Sequence, residues 1–131
     1  MNIIKGISSI VFSLLMLLGL WAPESLEIGN VPTKNEGEVR VISFNVRCKD
    51  DLYGSVKTRS ELIVSALKQY APDSFGVQEA TEEWMNILSE KLGEAYSFVG
   101  VPRDDSKNTE YSAVFYLKDK YELSDSGTMW L

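Results

Sequence analysis

The stretches RVISFNVR at 40–47 and SFGVQEA at 74–80 decide how this chain is read. In the first, Val41, Ile42, Phe44 and Val46 are strand formers, in a run apolar enough to be buried on both faces of a sheet, with Asn45 and Arg47 at its downstream end. The second repeats the pattern, with Phe75 and Val77 inside, Gly76 where a neighbouring backbone can approach closely, and Gln78 and Glu79 at the exit. Between them, Thr58, Arg59, Ser60 and Glu61 read as a capping box. Leu62, Ile63, Ala66, Leu67 and Tyr70 follow on one face of an amphipathic helix that Pro72 ends. A strand, helix, strand unit with a right-handed crossover makes the two strands parallel and brings both exits to one rim of the sheet. Asn45 and Glu79 are therefore predicted to meet there.

An amide oxygen and a carboxylate at adjacent strand ends suit magnesium, a hard ion that takes one or two carboxylates and keeps waters and a substrate phosphate in its other positions. The same two residues also suit a purely structural role. A glutamate after a strand often serves as a first-turn acid of the next helix, and an asparagine there often forms a turn. Spacing alone leaves both readings open.

Downstream, Thr81 is expected to begin a second helix, with Glu82 and Glu83 in its first turn, Trp84, Ile87, Leu88 and Leu92 on its apolar face, and Gly93 at its end. YSFVGV at 96–101 reads as a third strand. The polar loop 103–110 carries Asp104 and Asp105 but lacks the later glycine and glutamate of a calcium loop. YSAVFYL at 111–117 and YELSDS at 121–126 are predicted to form a hairpin across 118–120.

Composition narrows the function. The chain has 131 residues, a net charge of −6 and a pI of about 4.7, with no basic stripe of the kind that grips long nucleic acid. Histidine is absent, which removes the commonest general base at neutral pH and the commonest zinc ligand. Cys48 is the only cysteine, so the chain has no internal disulfide, and without a histidine partner it reads as incidental. Residues 1–25, with Lys5 before a largely apolar run at 7–20, read as a signal peptide or N-terminal anchor, implying an exported protein. Residues 26–38 read as a linker, and 39–131 as the folded part.

Taken together, FNVR at 44–47, PDSFGVQEA at 72–80, YSFVGVPRDD at 96–105 and EYSAVFYLKDKYELSDSGTMWL at 110–131 resemble the amino-terminal half of the endonuclease/exonuclease/phosphatase superfamily, the DNase I-like fold. The resemblance implies an α/β protein that is part of a four-layered sandwich, two mixed sheets face to face with helices outside, truncated after roughly its first half. It implies magnesium-dependent hydrolysis of phosphate esters, with manganese as a possible substitute. Asn45 and Glu79 match the family's metal site, and Glu110, at the start of the EYSAVFY strand, matches a position that supports the catalytic histidine. The histidines, the GDFN-type stretch and the final aspartate–histidine pair of the family are not in this sequence. The chain is accordingly expected to be an incomplete, inactive fragment that lacks the C-terminal half of its own domain. The acidic balance favours a phosphorylated small molecule, sugar or lipid headgroup over bulk nucleic acid as substrate. The rival readings are a non-catalytic binding protein and a membrane-anchored interaction protein that keep the fold.

Overall fold

The computed structural model describes residues 29–129 except 53, 107 and 108. The proposed signal or anchor at 1–25 lies outside the described residues. Six elements follow in order: β1 (Val41–Asn45), α1 (Val56–Tyr70), β2 (Ser74–Thr81), α2 (Glu82–Leu92), β3 (Tyr96–Val99) and β4 (Glu110–Leu117). They form one four-stranded sheet of order β1-β2-β4-β3. β1 and β2 run parallel, Val41 opposite Ser74 and Asn45 opposite Gln78. β4 is antiparallel to both β2 and β3, so the sheet is mixed.

The core lies on the sheet face covered by the helices. Phe75 and Phe115 stack across β2 and β4 with ring centroids 4.6 Å apart, and Tyr96 meets Phe75 edge-on at 5.2 Å. Trp84, Leu88 and Leu92 press the predicted apolar face of α2 onto this layer, and Leu67 joins them from α1. The opposite sheet face is open among the described residues, and the expectation that β1 is buried on both faces is not met. Ile42 and Phe44 pack inward, while Val41 is 67% exposed and Val114 on β4 is 47% exposed. β1 has only β2 beside it, and no layer covers its second face among the described residues.

Three local expectations shift for identifiable reasons. Helix α1 starts earlier than the capping box predicts: Ser55 is the N-cap and its hydroxyl accepts from the Thr58 amide at 3.1 Å. Its buried stripe is Val56, Ser60, Val64 and Leu67, while Leu62 points outward at 43% exposure. Ser60 tolerates burial because its hydroxyl donates to the Lys57 carbonyl at 2.7 Å, which a polar label in the sequence conceals. The predicted hairpin also fails in its second strand. Residues 118–120 turn, but 121–129 form no strand, because β4 already has β2 on one side and β3 on the other and offers no free edge.

The third shift shortens the strand predicted at 96–101, which ends at Val99 because Gly100 adopts φ +150° against β4. A Cβ there would lie 2.9 Å from both Cα and Cβ of Ala113. Gly100→Ala is therefore expected to cost about 1–3 kcal/mol, since neither the backbone angle nor the contact relaxes cheaply. Chemical denaturation checks it: an unchanged midpoint would show that the β3–β4 approach at Gly100 leaves room for a side chain.

Candidate functional site

The parallel pairing of β1 with β2 brings the strand exits together as predicted. Asn45 Nδ2 donates to Glu79 Oε1 at 2.7 Å, although the two residues are 34 positions apart. The backbone supports this meeting from both strands. Between Val77 and Ala80 the β2–β4 register slips, so that Gln78 and Glu79 together oppose the single residue Ser112. Glu79 sits at this bulge with φ 57°, a left-handed conformation that turns its side chain out of the strand's alternation and toward β1. Arg47 adopts φ 62° just past β1, and its amide donates to Asn45 Oδ1 at 2.9 Å, fixing the asparagine rotamer.

The second carboxylate oxygen of Glu79 accepts the Cys48 amide at 3.4 Å. The Asn45 amide hydrogen bond, then the Cys48 hydrogen bond and the Arg47 charge, hold the Glu79 carboxyl below its ordinary pKa, so it is ionised at neutral pH. Glu110 starts β4 opposite Thr81, at the same rim. Its carboxylate accepts from Arg103 Nη1 at 3.3 Å, and it also hydrogen-bonds the Cys48 thiol. Burial, that hydrogen bond and the negative fields of Glu110 and Glu79 push the thiol pKa up. Cys48 is thus a thiol flanked by two carboxylates, which favour its protonated form.

Asn45, Glu79 and Glu110 therefore share one rim, while Asp50, Asp51 and Asp104 are engaged within their own loops. Asp50 accepts the Val56 amide at 2.7 Å at the start of α1, and Asp51 pairs with Arg47. Asp104 accepts the Ser106 amide at 2.8 Å within its own loop. Among the described residues no three His, Cys, Asp or Glu side chains converge as a metal cage. The bulge at Glu79 and the loop contacts behind it carry no local sequence signal beyond the polar exit itself.

Solved structures share this arrangement of strands and helices. An endonuclease/exonuclease/phosphatase from Bacteroides vulgatus is 35% identical over 66% of this chain, with a TM-score of 0.59. The fold is that of the endonuclease/exonuclease/phosphatase family. A Bacteroides thetaiotaomicron member of this family superposes with a TM-score of 0.60 at 29% identity over 68% of the chain. A mannosyl-6-phosphatase from the same organism gives 0.61 at 29% identity over 69%. The chain spans about a third of the length of these relatives, 34–35% of each. Neither a family model nor a curated protein sequence matches it. For the endonuclease/exonuclease/phosphatase fold, the described residues form a mixed sheet with two helices on one of its faces, and one rim at which Asn45, Glu79 and Glu110 converge.

Proposed function

We propose that this chain supplies the metal-binding rim of a phosphate-ester hydrolase that uses magnesium, or manganese in its place. The observation that carries the reading is the Glu79 carboxylate: ionised, turned out of its strand at a bulge, and gripped by Asn45 from the neighbouring strand. The donor set fits a hard cation, since Asn45 and Glu79 offer only oxygen ligands and, being two, leave positions for water and a phosphoryl oxygen. Such an ion, when bound, supplies Lewis-acid polarisation of the phosphoryl oxygen and stabilises the leaving oxyanion.

This chain's own residues do the rest of the positioning. Glu79 provides the negative charge, Asn45 and the Cys48 amide hold its two oxygens in place, and Glu110 stands ready beside them to orient a further catalytic group. With no histidine in the sequence, these residues supply metal binding and positioning and not an imidazole base to activate water. We place the protein outside the cytoplasm, following the apolar run at 7–20. The substrate class is a phosphorylated small molecule, sugar or lipid headgroup, in keeping with the acidic balance and with the sugar phosphatase among the structural neighbours.

The product of the whole reading frame, offered sugar phosphates, a phosphodiester and duplex DNA in parallel, is expected to release phosphate from the monoesters. EDTA should abolish that activity and added magnesium restore it. Turnover that survives EDTA, or none on any phosphate ester, would sink the reading in favour of a binding protein.

A further inference from the structure

The Arg47–Cys48 peptide unit is held from behind by side chains that never reach the rim. Arg59, in the first turn of α1, sends Nη2 to the Arg47 carbonyl at 2.8 Å and to the Lys49 carbonyl at 2.8 Å, while Nη1 reaches the Gly54 carbonyl. Its guanidinium carbon lies 5.8 Å from the centroid of the Trp84 ring on α2. Trp84 Nε1 donates to the same Arg47 carbonyl at 3.1 Å. One carbonyl therefore accepts from two fixed donors. The other end of that peptide plane is the Cys48 amide, which points at Glu79 Oε2. Were the plane to flip, it would present a carbonyl oxygen to the Glu79 carboxylate in place of a donor. Arg47, at φ 62°, holds a backbone conformation that a non-glycine residue keeps only when its surroundings over-determine it.

We propose that Arg59 is a positioning residue for Glu79, acting through the Arg47–Cys48 peptide. By clamping three carbonyls of the loop between β1 and α1, it fixes the plane that aims Cys48 N–H at Glu79 and Arg47 N–H at Asn45. Lysine cannot take its place, because a single ammonium lacks the planar fork that spans separated acceptors. The metal part of this inference rests on the proposed role of Glu79; the loop-clamping part does not.

The test uses the full gene product, with Mn2+ binding read by electron paramagnetic resonance and amide exchange read at Arg47 and Cys48. Arg59→Ala and Arg59→Lys are both expected to weaken Mn2+ binding by about tenfold or more, the scale seen when groups orienting a ligand are lost. They should also speed exchange of the two amides at least as much. Leu92→Ala, at the far end of α2, controls for general loss of stability: it should lower the melting temperature and leave Mn2+ affinity unchanged. Equal Mn2+ affinity in wild type and Arg59→Ala, or an equal loss in Leu92→Ala, would overturn the proposal. Should the wild type bind no Mn2+, the metal reading of Glu79 fails, and amide exchange decides the clamp by itself: unchanged exchange in Arg59→Ala refutes it.

Discussion

Glu79→Gln in the complete protein is expected to lower kcat by at least two orders of magnitude at saturating magnesium, the scale on which single electrostatic groups act in a transition state. Glutamine keeps the length and much of the volume of the side chain, so the variant isolates charge from packing. It retains an oxygen to accept from Asn45 Nδ2 at the present 2.7 Å. What it loses is the full negative charge that a divalent ion needs. At the other oxygen, an amide nitrogen would face the Cys48 N–H, donor against donor. The fold should survive, because the strand pairing does not use this side chain and the residue lies at the rim. Steady-state kinetics beside a thermal melt makes the comparison. A melting temperature near wild type with kcat down a hundredfold supports the role, and kcat within a few-fold of wild type removes Glu79 from the metal site.

The largest effect on stability is expected at the opposite end of β2. The Asp73 side chain is fully enclosed, at 0% exposure, yet carries a charge. Oδ2 accepts from Lys34 Nζ at 2.7 Å and from the Arg40 amide at 2.8 Å. Oδ1 accepts from Lys120 Nζ at 2.5 Å and from the Tyr121 hydroxyl at 3.3 Å. One carboxylate thus ties the segment before β1 and the turn after β4 to the start of β2. Removing it deprives the Arg40 amide of its acceptor and unties Lys34 and Lys120, whose side chains are 30% and 47% exposed. Asp73→Ala is expected to lower the melting temperature by more than about 10 °C, in line with the cost of breaking a buried ion pair in a domain of this size.

The same group sets an acid limb. Its hydrogen bonds to Lys120 and Lys34, then that from the Arg40 amide, hold the folded-state pKa well below its ordinary 3.8. Between those two values the unfolded chain binds the extra proton. Its contribution is therefore complete above pH of about 4 and is lost as the pH falls below that. Melting temperature plotted against pH should fall steeply below about pH 4 in the wild type and more gently in Asp73→Asn. Parallel slopes would show that other carboxylates govern acid unfolding.

Asp73 also shows where local reading stops. In the sequence it is an ordinary turn residue between Pro72 and a strand, and nothing near it foretells Lys34 and Lys120, which are 39 and 47 positions away. Arg59 is similar, a helix-start cation whose three acceptors belong to the loop before it. Asn45 and Glu79 were legible because strand exits are polar punctuation in apolar runs, and one crossover rule places two such exits together.

From the sequence alone came the alternation of β1, α1, β2 and α2, the aromatic and aliphatic core of β2 and α2, and the two rim residues. Those features follow from propensity and periodicity, which act over a few neighbouring residues. The tertiary structure alone decided that β4 lies between β2 and β3, which leaves 121–126 without a partner edge. It alone decided the bulge that turns Glu79 toward Asn45, the clamp on the Arg47–Cys48 peptide, and the burial of a charged Asp73. Each of these depends on pairing between distant segments, where the energy of one hydrogen bond is set by what the rest of the chain has already brought into place.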